Sequence, residues 1–246
     1  MTAFASIFRL AAAPLAALAL AAACNDSGSA AGGPAVPVNP VLTDVVLGQA
    51  SAPVTVLEYA SFTCPHCRDF WKQEFPRLKA NYIDTGKIKY IYRDYPTDPS
   101  LAVMLVAVSR CKGADVYYDV LDDIFSNQVE LFEAAQQGQA GPIIAAIGQR
   151  HGASEAEIRA CLTHKGITDA LNKSIEEGRT RGVAVTPSVY VNDVYVENQG
   201  YEAVSAAIDK ALGVAPATPA TETPAAPSTG TTPASPTPAP APAPAQ

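Results

Sequence analysis

Apolar and polar residues alternate over Val54-Thr-Val-Leu-Glu-Tyr-Ala60, a run rich in β-branched side chains, and this pattern predicts a strand. Ile88-Lys-Tyr-Ile-Tyr-Arg93 repeats the alternation and predicts a second. Ser188-Val-Tyr-Val-Asn192 predicts a third, with Val194-Tyr195-Val196 as its return strand across a turn at Asn192-Asp193. Ser61 to Thr63 turns the chain after the first strand. A helical stretch then opens at Cys64-Pro65-His66-Cys67 and carries Phe70, Trp71, Phe75 and Leu78. Pro65 suits a first helical position, whereas Pro76 is expected to kink or split the helix. From Pro99 to about Gly182 the apolar spacing is helical throughout. The segments are 99–111, 115–136, 141–151, 154–164 and 167–180, with breaks at Gly113, Gly141-Pro142, Gly152 and Gly166. Ser154 and Glu157 form a capping box, and Tyr201 to Leu212 is a closing helix. The order is α/β: a βαβ half and a ββα half, with an inserted helical domain at about 98–182 between them.

The ends of the chain differ from this middle. Of 246 residues and 21 Pro, the last 33 residues (Val214 to Gln246) hold 10 Pro and a single charge, Glu222. This Pro/Ala/Thr-rich tail, 214–246, is of low complexity and cannot bury a core, so it is expected to be disordered. Residues 1–23 hold Arg9 and then an unbroken Ala/Leu-rich run from Leu10 to Ala23, the pattern of a secretory signal peptide. Those 14 residues rise about 21 Å as a helix, short of a roughly 30 Å hydrocarbon core. Cys24 follows Ala21-Ala22-Ala23, a sequence similar to a bacterial lipobox, and is a candidate for lipidation. Ordinary cleavage after an A-x-A pattern is the alternative. Residues 24–40 read as a flexible tether, leaving 41–213 as the folded domain. The net charge is −7 with no basic run, which argues against nucleic acid as a partner.

The five cysteines are 24, 64, 67, 111 and 161. If Cys24 is lipidated, four remain. Cys64 and Cys67 form a C-x-x-C pair, and Cys111 and Cys161 are left for each other as a structural disulfide. Both lie on apolar helical faces, so two buried free thiols remain the other reading. Export favours the bridge, because disulfides persist outside the cytoplasm. A zinc site would need four ligands, and neither a second C-x-x-C nor an H-x₃-H accompanies the pair. No metal and no cofactor is expected. His151 and His164 read as cations at helix C-termini, and Arg93-Asp94 as an ion pair or loop polarity.

A C-x-x-C at a helix N-terminus after a strand has a mechanism. The thiolate is the nucleophile, and the unpaired N–H groups and positive dipole end of the helix stabilise it. Cys64 is outermost and is expected to have the lower pKa. Cys67, one turn inside, is the shielded, resolving thiol. His66 is placed to add a positive charge or a donor near Cys64. Each effect favours the reduced pair, which makes the disulfide a stronger oxidant.

The segment VLEYASFTCPHCRDFW, residues 56–71, resembles the strand and active-site helix of DsbA-like thiol–disulfide oxidoreductases, and Cys64-Pro65-His66-Cys67 matches that family's active-site tetrapeptide. Val185-Thr186-Pro187 is similar to the loop where the family places a cis-proline beside the active site. The resemblance covers roughly 40–213 and implies a thioredoxin fold with a helical insert. It implies a dithiol oxidase acting on reduced or misoxidised exported polypeptides and reoxidised by a membrane partner similar to DsbB. Pro187 and Thr186 would pair the backbone with a bound peptide, and Glu58 matches a buried acid that relays the proton of the inner thiol. Thr186 stands where the best-known oxidases carry Val and isomerases often Thr, so an isomerase or reductase of the same fold is the second reading. A monomer is expected, since only the tether precedes the fold. A lipoprotein module holding a soft metal through the paired thiols is a third reading, of another class.

Overall fold

The computed structural model describes residues 36–97 and 99–214. The expected signal peptide, Cys24, most of the tether and the tail beyond Val214 lie outside the described residues. Five strands, β1 (Val46–Gly48), β2 (Val54–Ala60), β3 (Ile88–Asp94), β4 (Ser188–Val191) and β5 (Val194–Tyr195), form one mixed sheet in the order β1-β3-β2-β4-β5. β2 runs parallel to β3, with Val54 opposite Ile88, and antiparallel to β4, with Glu58 opposite Val189. β1 is absent from the sequence reading. Its three residues, Val-Leu-Gly, are too few to show a period of two, and it exists by pairing antiparallel with the outer edge of β3. The turn between β4 and β5 is where the pattern puts it: Asn192 and Asp193 have φ of 45° and 68°, as a two-residue hairpin of the I′ type requires.

Alternation divides β2 between two cores. Val56 and Ala60 join Phe70, Trp71, Phe75, Val204 and Ile208 in the large cluster, and Leu57 and Tyr59 join Val183 and Tyr190 in a small one. A central strand covered on both faces is a place where a carboxylate meets no water. The same alternation separates Arg93 from Asp94. They do not pair with each other, because neighbours on a strand point to opposite faces. Asp94 turns inward, 2.6 Å from the Arg110 guanidinium, and Arg93 turns outward to Asp44 and Glu177 at 2.7 and 2.8 Å.

The first helical segment is continuous but irregular. It runs through α1 (Pro65–Asp69), a π-helical turn Phe70–Glu74, α2 (Phe75–Leu78) and a second π-helical turn Lys79–Ile83. The split expected at Pro76 does not occur. Pro76 has no N–H, and its ring would press on the carbonyl four residues back in a regular helix. The wider turn before it, with the Phe75 N–H donating to the Phe70 carbonyl, opens the ladder and lets the helix continue.

The helical block comprises α3 (Pro99–Arg110), α4 (Tyr117–Ser126), α5 (Gln128–Gln136), α6 (Ala140–Arg150), α7 (Glu155–Leu162) and α8 (Lys165–Thr180); α9 (Tyr201–Ala211) closes the fold. The single helix expected over 115–136 is interrupted at Asn127, whose side-chain amide donates to the Asp123 carbonyl at 2.7 Å and competes with the backbone ladder. Ser154 and Glu157 cap α7 reciprocally. Gly166 lies inside α8, and His164 is that helix's N-cap rather than a C-terminal cation. His151 is at the C-cap of α6, 3.0 Å from Asp123. Cys111 and Cys161 are joined as a disulfide linking the end of α3 to α7. Gly178 allows α8 to approach the sheet closely: a Cβ there would stand 2.6 Å from the Tyr95 ring. None of the described helices is long and apolar enough to cross a membrane.

Candidate active site

Cys64 is the N-cap of α1, in extended backbone conformation, with Pro65 opening the helix. Cys64 and Cys67 are both free thiols and both buried. They differ sharply in character. A hydrogen bond from the Cys67 thiol, then Thr186 and the backbone N–H groups of Cys67 and His66, hold the Cys64 thiol down to about 5, against the opposing effect of burial. Cys67 is pushed far above the ordinary thiol range, first by burial, then by its bond to Cys64 and the nearby charge of Glu58. The Ser61 N–H donates to the Cys67 sulfur at 3.5 Å.

Glu58 lies on the core face of β2 and is 1% exposed. Burial pushes its carboxyl up to about 8; the Tyr90 hydroxyl, donating to Oε2, opposes that rise, and the charge of Cys64 adds to it. Its charge is felt by Cys67, so the two innermost titratable groups of the site are coupled.

The peptide bond between Thr186 and Pro187 is cis. The Cys64 thiol donates to the Thr186 carbonyl at 3.3 Å, which joins the loop before β4 to the C-x-x-C turn. An open groove leads away from this point, lined by His66, Phe70, Gln73, Glu74, Val185 and Pro187. His66 contributes its backbone N–H to Cys64, while its side chain is exposed along the groove. Cys64, Cys67, His66, Glu58, Thr186 and Pro187 are therefore brought together; Cys111 and Cys161 lie elsewhere, in the helical block. Among the described residues, no group of three or more His, Cys, Asp or Glu is arranged to hold a metal ion.

Sequence reading missed Tyr90, the donor to Glu58, and a residue of the helical block that touches this site. Gln128, at the start of α5, donates from Nε2 to the carbonyls of Phe62 and Cys64 at 2.7 and 3.0 Å. A signal was present. Tyr117, Val120, Leu121, Ile124, Phe125 and Leu131 trace a buried helical stripe, and position 128 continues it with a polar residue.

A buried thiol and a thiolate-prone thiol, one helical turn apart beside a cis-proline loop, define a dithiol site. The chain belongs to the thioredoxin family, whose model matches residues 41–210. It is 36% identical over 172 residues to a protein named as a protein-disulfide oxidoreductase of Rickettsia bellii, covering 69% of this chain and 64% of that one. The chain thus spans just under two thirds of that relative's length. Its fold matches α-DsbA1 of Wolbachia pipientis with a TM-score of 0.63 at 25% identity, over 71% of this chain and 93% of that one. It also matches oxidised BdbD of Bacillus subtilis with a TM-score of 0.62 at 23% identity, over 74% of this chain and all of the other.

Proposed function

We propose that the protein is a thiol–disulfide oxidoreductase that oxidises dithiols in exported polypeptides through Cys64 and Cys67. The observation that carries this reading is the opposed character of the two sulfurs, Cys64 held low and Cys67 pushed high. A substrate thiolate attacks the Cys64 sulfur of the Cys64–Cys67 disulfide, and Cys67 leaves, taking a proton that Glu58 is placed to supply. A second substrate thiolate attacks the substrate sulfur of the mixed disulfide, and Cys64 leaves as a thiolate. The substrate dithiol loses two electrons and two protons; the pair gains both electrons, Cys67 gains one proton by way of Glu58, and the other proton goes to solvent because Cys64 stays a thiolate. A low leaving-group pKa speeds the second step and favours the reduced enzyme. Thr186 and Pro187 border the groove into which a peptide backbone would extend. A membrane partner similar to DsbB would restore the disulfide. The leader-like residues 1–23 support export, and a lipid on Cys24 would tether the enzyme.

Thr186 favours a second reading, an isomerase or reductase. The Cys64–Cys67 equilibrium with glutathione separates the two. A potential well above roughly −180 to −210 mV, the poise of an oxidising folding compartment, is expected for an oxidase. A value near the roughly −270 mV of thioredoxin would replace that conclusion with a reductase. Cys67→Ala is expected to accumulate mixed disulfides on Cys64 when mixed with an oxidised substrate. Recovery of free protein alone would count against the mechanism.

A further inference from the structure

Gln128 is 2% exposed. A buried primary amide must find partners for its donors or destabilise the fold. Nothing in the packing of the helical block requires an amide here, since the rest of the α4–α5 stripe is apolar. The partners it has chosen lie outside the block, across the interface with the thioredoxin half. Both are main-chain carbonyls of the short loop between β2 and α1, Phe62 at 2.7 Å and Cys64 at 3.0 Å. The Cys64 carbonyl also accepts the first i to i+4 bond of the active-site helix, from the Arg68 N–H at 3.2 Å. A single side chain therefore closes on the backbone on both sides of Thr63, where Cys64 takes the extended conformation (φ −90°, ψ 119°) of an N-cap.

We propose that Gln128 is a positioning residue for Cys64: its amide clamps the Phe62 and Cys64 carbonyls and so holds the reacting sulfur against the first turn of α1. The proposal rests on the exchange reading above and gives the helical insert a part in it. The thiolate of Cys64 is favoured by the Cys67 thiol, by Thr186 and by the N–H groups of Cys67 and His66, and the approach of Cys64 to each depends on the path of this loop. Releasing the clamp leaves the Phe62 carbonyl without this donor and the Cys64 carbonyl with the Arg68 N–H alone, and frees the N-cap to move away from those groups. A purely structural Gln128 would affect stability and leave the sulfur's acidity as it is.

The test uses the full chain and the variants Gln128→Met, which keeps the length and removes both donors, and Gln128→Glu, which as a buried neutral acid regains one. Cys64 thiolate is followed by its ultraviolet absorbance across pH, and the pair is equilibrated with glutathione. In Gln128→Met the thiolate equilibrium is expected to move about threefold to tenfold toward the thiol, with the oxidising strength of the pair falling in the same direction. Gln128→Glu is expected to lie between Gln128→Met and the unsubstituted chain. A folded Gln128→Met protein whose titration matches the unsubstituted chain overturns the proposal. If neither variant folds, the unsubstituted protein decides. The side-chain amide protons of Gln128 are expected to exchange with solvent at least about tenfold more slowly than those of exposed Gln137, and equal exchange overturns the clamp. An unsubstituted chain with no reversible glutathione couple would defeat the exchange reading instead, and the Cys64 titration would still decide on Gln128.

Discussion

Glu58 has an ordinary carboxyl value of 4.5 in the unfolded chain and is pushed up to about 8 by burial on the core face of β2. The sign of the consequence follows from proton counting. Below about pH 4.5 both states hold the proton, and the fold's stability is intact with respect to this group. As pH rises toward about 8 the unfolded chain releases the proton while the folded chain keeps it, so stability falls, by at most about 1.4 kcal/mol per pH unit. Above about 8 the loss levels off. In the oxidised protein, where Cys64 carries no titrating thiol, chemical denaturation at several pH values is expected to show this decline. Glu58→Gln is expected to flatten it, and parallel profiles for the two proteins would refute the assignment. Residue chemistry of this kind was legible unevenly. Cys64 and Cys67 stand in a motif, and Glu58 follows from the resemblance around them. Gln128 could be found only by noticing a polar side chain in an apolar helical stripe. The partners of Arg93 and Asp94 depend on Asp44, Glu177 and Arg110, which no local pattern brings near.

Elements that own a long apolar pattern were readable, and elements defined by contact were not. β2, β3 and β4 announce themselves by alternation, and α7 by its capping box. β1 has no pattern of its own, the helix break at Asn127 comes from a side-chain bond, and the continuation through Pro76 comes from π-helical turns that helical periodicity does not encode. The bond between Cys111 and Cys161 is the covalent tie within the helical block, across 50 residues of sequence. In the chain-entropy picture it stabilises the fold by at most about 4 kcal/mol. Cys111→Ala with Cys161→Ala is expected to lose about 2–4 kcal/mol in urea denaturation. The Cys64 thiolate titration is expected to stay in place, because neither α3 nor α7 supplies a group that favours that thiolate. A folded double variant with a displaced Cys64 titration would show that the bridge reaches the site.

Redox state and folding are coupled across the whole molecule, because reduction and unfolding form a closed cycle. Whatever the folded chain does to favour its reduced pair over that of the unfolded chain must reappear as extra stability of the reduced protein. The source named here is the Cys64 thiolate, held down to about 5 in the fold against an ordinary thiol value of 9.0. Below pH 5 both states of the reduced chain carry the thiol, and this source contributes nothing. Between about pH 5 and 9 the unfolded reduced chain holds one proton more than the folded one, so the stability of the reduced protein rises with pH relative to the oxidised protein, which has no Cys64 proton. Cys67, pushed well above its ordinary 9.0 in the fold, keeps its proton in both states up to about pH 8. The part of the Glu58 decline caused by burial is common to both redox forms and cancels in their difference; only the smaller part caused by the Cys64 charge belongs to the reduced form alone. The gap in melting temperature between the reduced and oxidised proteins, with the Cys111–Cys161 bond intact in both, is therefore expected to widen as pH is raised from 5 to 8. A gap that stays constant or narrows over that range would mean that the fold does not stabilise the Cys64 thiolate, and the oxidase reading would lose its driving force.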